Sequence, residues 1–266
     1  MMEIIVPAAG LSTRFPGTRP KYLLYSYDGV LMLNRALEPF LGGKHRITVG
    51  ILKKHNDMYD AKNIIEREFA DDINVVILNN LTRGPADTVY QILKTFDNND
   101  VPFLVKDCDN FYHLDPCEGN AVYTSNVREH DILRKLHSKS FCIVNDQDIV
   151  HDVVEKEIVS NYFCVGAYKF NSSKEYMRDF ERVRDNMRDE IYVSHVITCM
   201  ITNGCVFLKK PVGSFIDVGT LEDWNQYNDK PTIFCDIDGT LVKSMNRPYK
   251  AGYEVLENNY KIIKSE

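Results

Sequence analysis

Short apolar runs alternate with stretches of helical period along the first hundred residues. Ile4-Ile5-Val6, Ile47 to Leu52, Val75 to Leu78 and Val101 to Val105 are brief and rich in β-branched residues, as parallel strands buried on both faces tend to be. Between them lie Leu31 to Leu41, Tyr59 to Phe69 and Ala86 to Phe96. In the second of these, Ile64, Ile65 and Phe69 fall on one side, which predicts helices with a single buried stripe. The order βαβαβαβ predicts an α/β fold built on a doubly wound, mostly parallel mixed sheet, with ligands at the carboxyl ends of the strands. From about Ala121 the pattern loosens. Strands are predicted at Phe141 to Val144, Tyr162 to Phe170 and Gly204 to Leu208, and helices over Ser173 to Met187 and Val193 to Ile201. Asn228-Asp229-Lys230-Pro231 reads as a junction, because a new apolar strand, Thr232 to Cys235, begins directly after it. The expected division is a domain over 1–229 and the start of a second over 230–266.

Composition narrows the function classes. At 266 residues and 44% hydrophobic content the chain can bury one large α/β core. No apolar stretch reaches the roughly 18 uncharged residues of a membrane span, and acidic Glu3 follows the N-terminus at once. A cytoplasmic protein without membrane partners is expected. Seven cysteines are scattered with no C-x-x-C pair, which suits reduced core thiols. The seven histidines form no ligand-spaced cluster. A formal net charge of −6 argues against a nucleic-acid partner, whose phosphates need a basic footprint. An anionic substrate has to be met by local positive charge.

Such charge stands directly after the first strand, in PAAGLSTRFPGTRPK, Pro7 to Lys21. Glycine-bearing backbone there can present N–H groups to an anion, and Arg14, Arg19 and Lys21 add side-chain charge. Neither G-x-x-x-x-G-K-[ST] nor G-x-G-x-x-G is present. Ala8, Ala9, Gly10, Ser12, Thr13, Arg14, Phe15, Pro20 and Lys21 instead fill the pattern A-[AG]-G-x-[GS]-[ST]-R-[FLM] followed by P-K. This resembles the signature of the nucleotidyltransferases that activate phosphorylated sugars and alcohols. The resemblance, over about residues 3 to 228, implies a Rossmann-like nucleotidyltransferase fold. It also implies nucleotide contacts from Ala8, Ala9, Gly10, Ser12 and Thr13, with Arg14 and Lys21 in catalysis.

A triphosphate beside a second phosphate calls for a divalent cation, and hence for carboxylates. In Phe103-Leu104-Val105-Lys106-Asp107-Cys108-Asp109-Asn110 a hydrophobic strand runs into a D-x-D. Late in the chain, Asp217-Val218-Gly219-Thr220-Leu221-Glu222-Asp223-Trp224 resembles the family's D-x-G-T-x-E-D-[WL], whose first aspartate holds catalytic metal. By that resemblance Asp109 and Asp217 share Mg²⁺, with Asp107 as a helper. Thr220 also reads as a helix N-cap with acids in the first turn.

Gly84, Pro85 and Ala86 match the family's G-[TPL]-A turn, which reads a nucleobase edge; Pro85 equally suits the first position of a helix. The glutamine that often precedes this glycine is absent, which leaves the base open; Phe15, where thymidylyltransferases usually show leucine, resembles the cytidylyltransferase side, so CTP is expected, with UTP or dTTP as the alternative. Asn161 to Phe170 resembles the strand ending G-x-Y-x-F beside the acceptor pocket, and Glu190 to Ser194 resembles the family's acidic helix start, which makes Lys169 and Glu190 the expected acceptor-side residues. The implied reaction is transfer of a nucleoside monophosphate to a phosphorylated sugar, polyol or small alcohol with release of pyrophosphate, for surface or capsular polysaccharide precursors. Many relatives self-associate, so a homo-oligomer is also implied.

The tail carries a second resemblance. Thr232 to Val242, TIFCDIDGTLV, resembles motif one of the haloacid dehalogenase phosphatases, with Asp236 at the nucleophile position and Asp238 at the acid/base position. The 26 residues after Thr240 fall short of the further ~100 that such a domain needs. Asp236 and Asp238 are therefore expected to be inactive in this chain, which reads as cut from a bifunctional protein. A phosphate-ester hydrolase and a non-catalytic nucleotide-binding protein are the other classes considered.

Overall fold

The computed structural model describes residues 2–43, 45–96, 100–115, 117–129 and 133–230. Compact packing runs to Asn228, and a second unit begins at Asp229. Asp236, Asp238 and the rest of the tail motif lie outside the described residues.

Strands β1 (Met2–Ala8), β2 (His45–Leu52), β3 (Ile73–Leu78) and β4 (Phe103–Lys106) lie in the order β3-β2-β1-β4, all parallel. Successive residues of β1 face opposite layers. Ile4, Val6 and Ala8 pack with one cluster, beneath α1 (Met32–Leu37) and α3 (Ala61–Phe69), and Ile5 packs with the other, beneath α4 (Pro85–Leu93). Helices thus cover both faces of the parallel half, which is why its strands read as unbroken apolar runs. The predicted helix over 59–69 starts later, because Asp60 adopts a left-handed conformation (φ 54°) that separates α3 from a preceding helix, α2 (Lys53–Tyr59). With one buried side chain, His55, α2 has no apolar stripe to betray it.

Beyond β4 the sheet changes character. The chain adds β5 (Asn110–Phe111), β6 (Asn120–Asn126), β7 (Ser140–Val144), β8 (Ile149–Glu155), β9 (Tyr162–Phe170), β10 (Phe207–Pro211) and β11 (Ile216–Asp217), with α5 (Ser173–Asn186), α6 (Val193–Thr202) and α7 (Leu221–Asn228). The main sheet continues β4-β9-β6-β10-β8-β7, and β7 pairs back onto β9. Strands β9, β6, β10, β8 and β7 therefore close into a ring. Among the described residues four strand pairs of this sheet are parallel and five antiparallel, so the mostly parallel expectation holds for the first half alone. Short connections in the second half, such as Asn145 to Asp148 between β7 and β8, allow only antiparallel pairing. Residues α5 and α6 bury, among them Tyr176, Phe180, Ile197 and Met200, join the α4 cluster. No helix among the described residues is long and apolar enough to cross a membrane.

Candidate active site

After β1 the chain runs through the loop to a 3-10 turn at Lys21–Leu23. Ser12 takes a left-handed conformation (φ 53°); its carbonyl accepts from Phe15 N (2.9 Å) and its Oγ from Lys21 N (3.3 Å). Both ends of the loop are thereby tied to one residue. Phe15 is buried in a small cluster with Met32, Ala36, Phe111, Val218 and Trp224. The Arg14 carbonyl accepts from Leu221 N at the start of α7 (3.1 Å). With its neighbour and its own backbone anchored, the Arg14 side chain stands 58% exposed over the cleft.

The partner of this loop is Asp109. Lys21 Nζ lies 2.6 Å and Arg14 Nη2 3.6 Å from Asp109 Oδ2. Burial disfavours the Asp109 anion, but Lys21 and Arg14 outweigh it and hold the carboxyl well below the usual carboxylate range. Burial also works against the Lys21 ammonium, and Asp109 keeps it above its ordinary value. The turn that presents Asp109 is folded around buried Lys106, whose Nζ donates to the Asp107 carbonyl, the Asn110 carbonyl and Asn110 Oδ1. Burial lowers the Lys106 pKa to about 8 and raises that of Cys108 to about 11. Asp107 packs on Gly166, where an added Cβ would lie 2.3 Å from its Oδ2; burial and the Asp109 charge push its pKa to about 6.

Asp217 arrives from more than a hundred residues away. Strands β11 and β5 pair Asp217 with Asn110, and Val218 N donates to the Asp109 carbonyl (3.0 Å). Asp217 Oδ1 accepts from Gly219 N at 3.0 Å, and its Oδ2 meets Lys139 Nζ at 2.6 Å. A Cβ built on Gly219 would lie 3.0 Å from Asp217 Oδ1, 3.2 Å from Asp109 Oδ2 and 3.4 Å from Arg14 Nη1. Two carboxylates and the loop guanidinium therefore meet around one glycine, where an added side chain would press on all three.

These groups lie in a cleft of about 830 Å³ that also exposes Ala8, Gly10, Ser12, Thr13, Gly84, Pro85 and Glu190. Gly84 has φ +123°, and an added Cβ would come 2.6 Å from the Ile191 carbonyl, so only glycine fits there. Pro85 opens α4, the start signal the sequence suggested. Thr220 Oγ1 accepts from Asp223 N (3.2 Å), the expected cap of α7. On the far side, Lys156 donates to the Tyr192 hydroxyl, which in turn donates to Glu190.

Three expected residues do not reach the cleft. Ala9 and Ala86 are fully buried side chains outside its lining; Ala86 belongs to the α4 core and contributes its N–H to the Ile191 carbonyl. Lys169 is also absent from the lining. It pairs with Leu104 and Ala121 near the amino ends of β4 and β6, and its Nζ bonds the Gly119 carbonyl (2.9 Å). Because β9 runs antiparallel to both, its carboxyl end lies at the wrong end of the sheet for the site. Other cations that line the cleft, Lys139, Lys156 and Arg188, were missed. Lys139 follows a stretch without periodicity, and Lys156 and Arg188 carry no spacing signal.

No protein-family profile and no curated protein matches the chain. Solved structures do match. A nucleoside-diphosphate-sugar pyrophosphorylase of Vibrio cholerae superposes with a TM-score of 0.73 at 18% identity, covering 85% of this chain and 100% of the other. The inositol-1-phosphate CTP transferase of T. maritima gives 0.67 at 15% identity over 88% and 98%. A Bacillus anthracis protein assigned as a glucose-1-phosphate thymidylyltransferase gives 0.64 at 17% identity, again over 88% and 98%. At these identities the likeness establishes the fold, which this chain shares with nucleotidyltransferase structures.

Proposed function

We propose that the chain is a metal-dependent nucleotidyltransferase that moves a nucleoside monophosphate, CMP from CTP by preference, onto a phosphorylated sugar, polyol or small alcohol. The observation that carries this reading is the meeting of Arg14, Asp109 and Asp217 around Gly219, with Lys21 paired to Asp109. A pure binder of polyphosphate has no use for two acids among its cations. The fold shared with an inositol-1-phosphate CTP transferase supports the choice of reaction class.

Mg²⁺ fits this donor set. Such ions bind through one or two carboxylates plus substrate phosphates and water. Asp109 and Asp217 would hold it, with Asp107 behind them, and among the described residues no third acid, imidazole or thiol completes an all-protein cage. Bound there, the ion would offset the repulsion between two phosphate groups. An acceptor phosphate oxygen attacks the α-phosphorus in line, the bond to the β-phosphate oxygen breaks, and pyrophosphate leaves. A phosphate dianion needs no general base, so alignment and charge neutralisation carry the rate. Arg14 and Lys21 stabilise charge on the phosphates as it shifts toward the leaving group. Gly84 and Pro85 border the base, and Glu190 borders the acceptor, with Lys139 and Lys156 supplying charge that Lys169 cannot.

The test is pyrophosphate release from CTP, UTP, dTTP, ATP and GTP, each with glucose 1-phosphate, inositol 1-phosphate, glycerol 3-phosphate and phosphocholine. CTP with at least one acceptor is expected to turn over. Loss of phosphate from the acceptor alone would favour a hydrolase and overturn the reading.

A further inference from the structure

The turn at 82–86 and the loop at 187–191 come from distant parts of the sequence, and residues of both line the cleft side by side. They are stitched together by backbone hydrogen bonds. Ile191 N donates to the Arg83 carbonyl, Ala86 N donates to the Ile191 carbonyl, and Gly84 lies flat against Glu190 and Ile191. The Arg83 side chain completes the seam. Its Nη1 donates to the Arg184 carbonyl (3.2 Å), and its Nη2 to the carbonyls of Met187 and Asp189 (3.1 Å to the latter). Its own N–H is held by Asp87 Oδ2 (2.8 Å).

We propose that Arg83 is a positioning residue that straps the loop bearing Arg188, Asp189 and Glu190 to the nucleotide-side turn, so that a nucleotide bound at the turn also orders the acceptor side. Three properties support this. Arg83 spends its guanidinium on backbone carbonyls, two of them at the carboxyl end of α5 (Arg184 and Met187), where a cation also opposes the helix dipole. Backbone carbonyls give the loop a fixed path whatever its side chains, and that path sets where Glu190 and Arg188 stand in the cleft. The loop is pinned at its end by Ile191, fully buried in the α4 core, while Arg188, Asp189 and Glu190 before it are exposed, with Glu190 accepting from the Tyr192 hydroxyl that Lys156 also holds. The exposed stretch 188–190 orders or loosens with its few polar ties.

The inference rests on the reading of the cleft for its ligand arm only. Hydrogen exchange of the amides at 188–191 is measured for the parent and for Arg83→Gln, with and without CTP and Mg²⁺. Without ligand, Arg83→Gln is expected to exchange these amides about tenfold faster, while β9 amides keep the parent rate. CTP is expected to slow the loop amides several-fold in the parent and not in the variant. A variant with unchanged loop exchange overturns the strap. Equal protection by CTP in both proteins overturns the transmission, since a merely structural tie would leave it intact. Failure of CTP to bind the parent counts against the proposed function and leaves the ligand-free comparison decisive for the strap. Should Arg83→Gln not fold, Arg83→Lys keeps the charge without the fork and is expected to shift exchange in the same direction by a smaller factor; parent-like exchange in it overturns the proposal. Where an acceptor of the panel turns over, Arg83→Gln is expected to raise that acceptor's KM about tenfold and CTP's KM far less. The reverse split would make Arg83 a nucleotide contact instead.

Discussion

Lys21 Nζ sits 2.6 Å from Asp109 Oδ2, joining the loop after the first strand to the turn after the fourth. Both side chains are mostly buried, at 20% and 10% exposure. Removing one partner leaves the other charged in a poorly hydrated place, which costs about 3 kcal/mol. Lys21→Met is therefore expected to lower stability by roughly that amount in denaturant titrations, and Lys21→Met/Asp109→Asn to recover a large part of it.

Turnover should respond differently. Asp109→Asn and Lys21→Ala are each expected to cut pyrophosphate release by at least about 100-fold, because each removes charge that acts on the phosphates themselves. Parent-level release by Asp109→Asn would remove Asp109 from the proposed chemistry.

Gly84→Ala tests the seam at the base-side turn. Its φ of +123° and the Ile191 carbonyl 2.6 Å from the new methyl leave no relaxed solution, so a loss of about 1–3 kcal/mol is expected. The control is Gly10→Ala, where nothing lies within 4 Å of the added Cβ; a smaller loss is expected there.

The parallel half of the fold was legible because its strands are buried on both faces, as in Ile4-Ile5-Val6, where neighbours enter different cores. The site was legible where a motif sits on a strand end: Arg14, Lys21, Asp109 and Asp217 all meet in one cleft. The second half hid its order. Strand β8, IVHDVVE, mixes polar and apolar positions, and β6 pairs across a register shift between Val122 and Thr124. Lys169 misled because direction decides which end of a strand faces the ligand, and its residue type says nothing of direction. Lys139 was invisible because only the tertiary fold brings it to Asp217.

Two histidines set a pH dependence. Burial lowers the pKa of both His55 and His195 below the ordinary 6.5, and each Nδ1 is engaged, with the Tyr22 hydroxyl and with Tyr192 N–H. The unfolded chain then binds more protons than the folded one below about pH 6.5. The contribution of these two histidines is expected to be full above that value and to be lost as the pH drops below it toward about 5.5, against an opposing contribution from Asp107, whose raised pKa favours the folded state at lower pH. His55→Gln should flatten this slope in thermal melts across the same window, and an unchanged slope would exclude His55 as its source.

Lys139 occupies Asp217 and must yield for a cation to bind there. Lys139→Met is expected to tighten Mn²⁺ binding to the nucleotide-free protein several-fold, by removing a tethered competitor. Weaker binding in this variant would mean that Lys139 supports the ion instead.

The sharpest measurement is Mn²⁺ titration in the presence of CTP, followed by electron paramagnetic resonance, on the parent, Asp109→Asn and Asp217→Asn. One ion per chain is expected in the parent, with affinity lowered at least about tenfold by either substitution. If both variants bound Mn²⁺ and CTP as the parent does, the two acids would not share a cation in front of the loop, and the account of this cleft would be wrong.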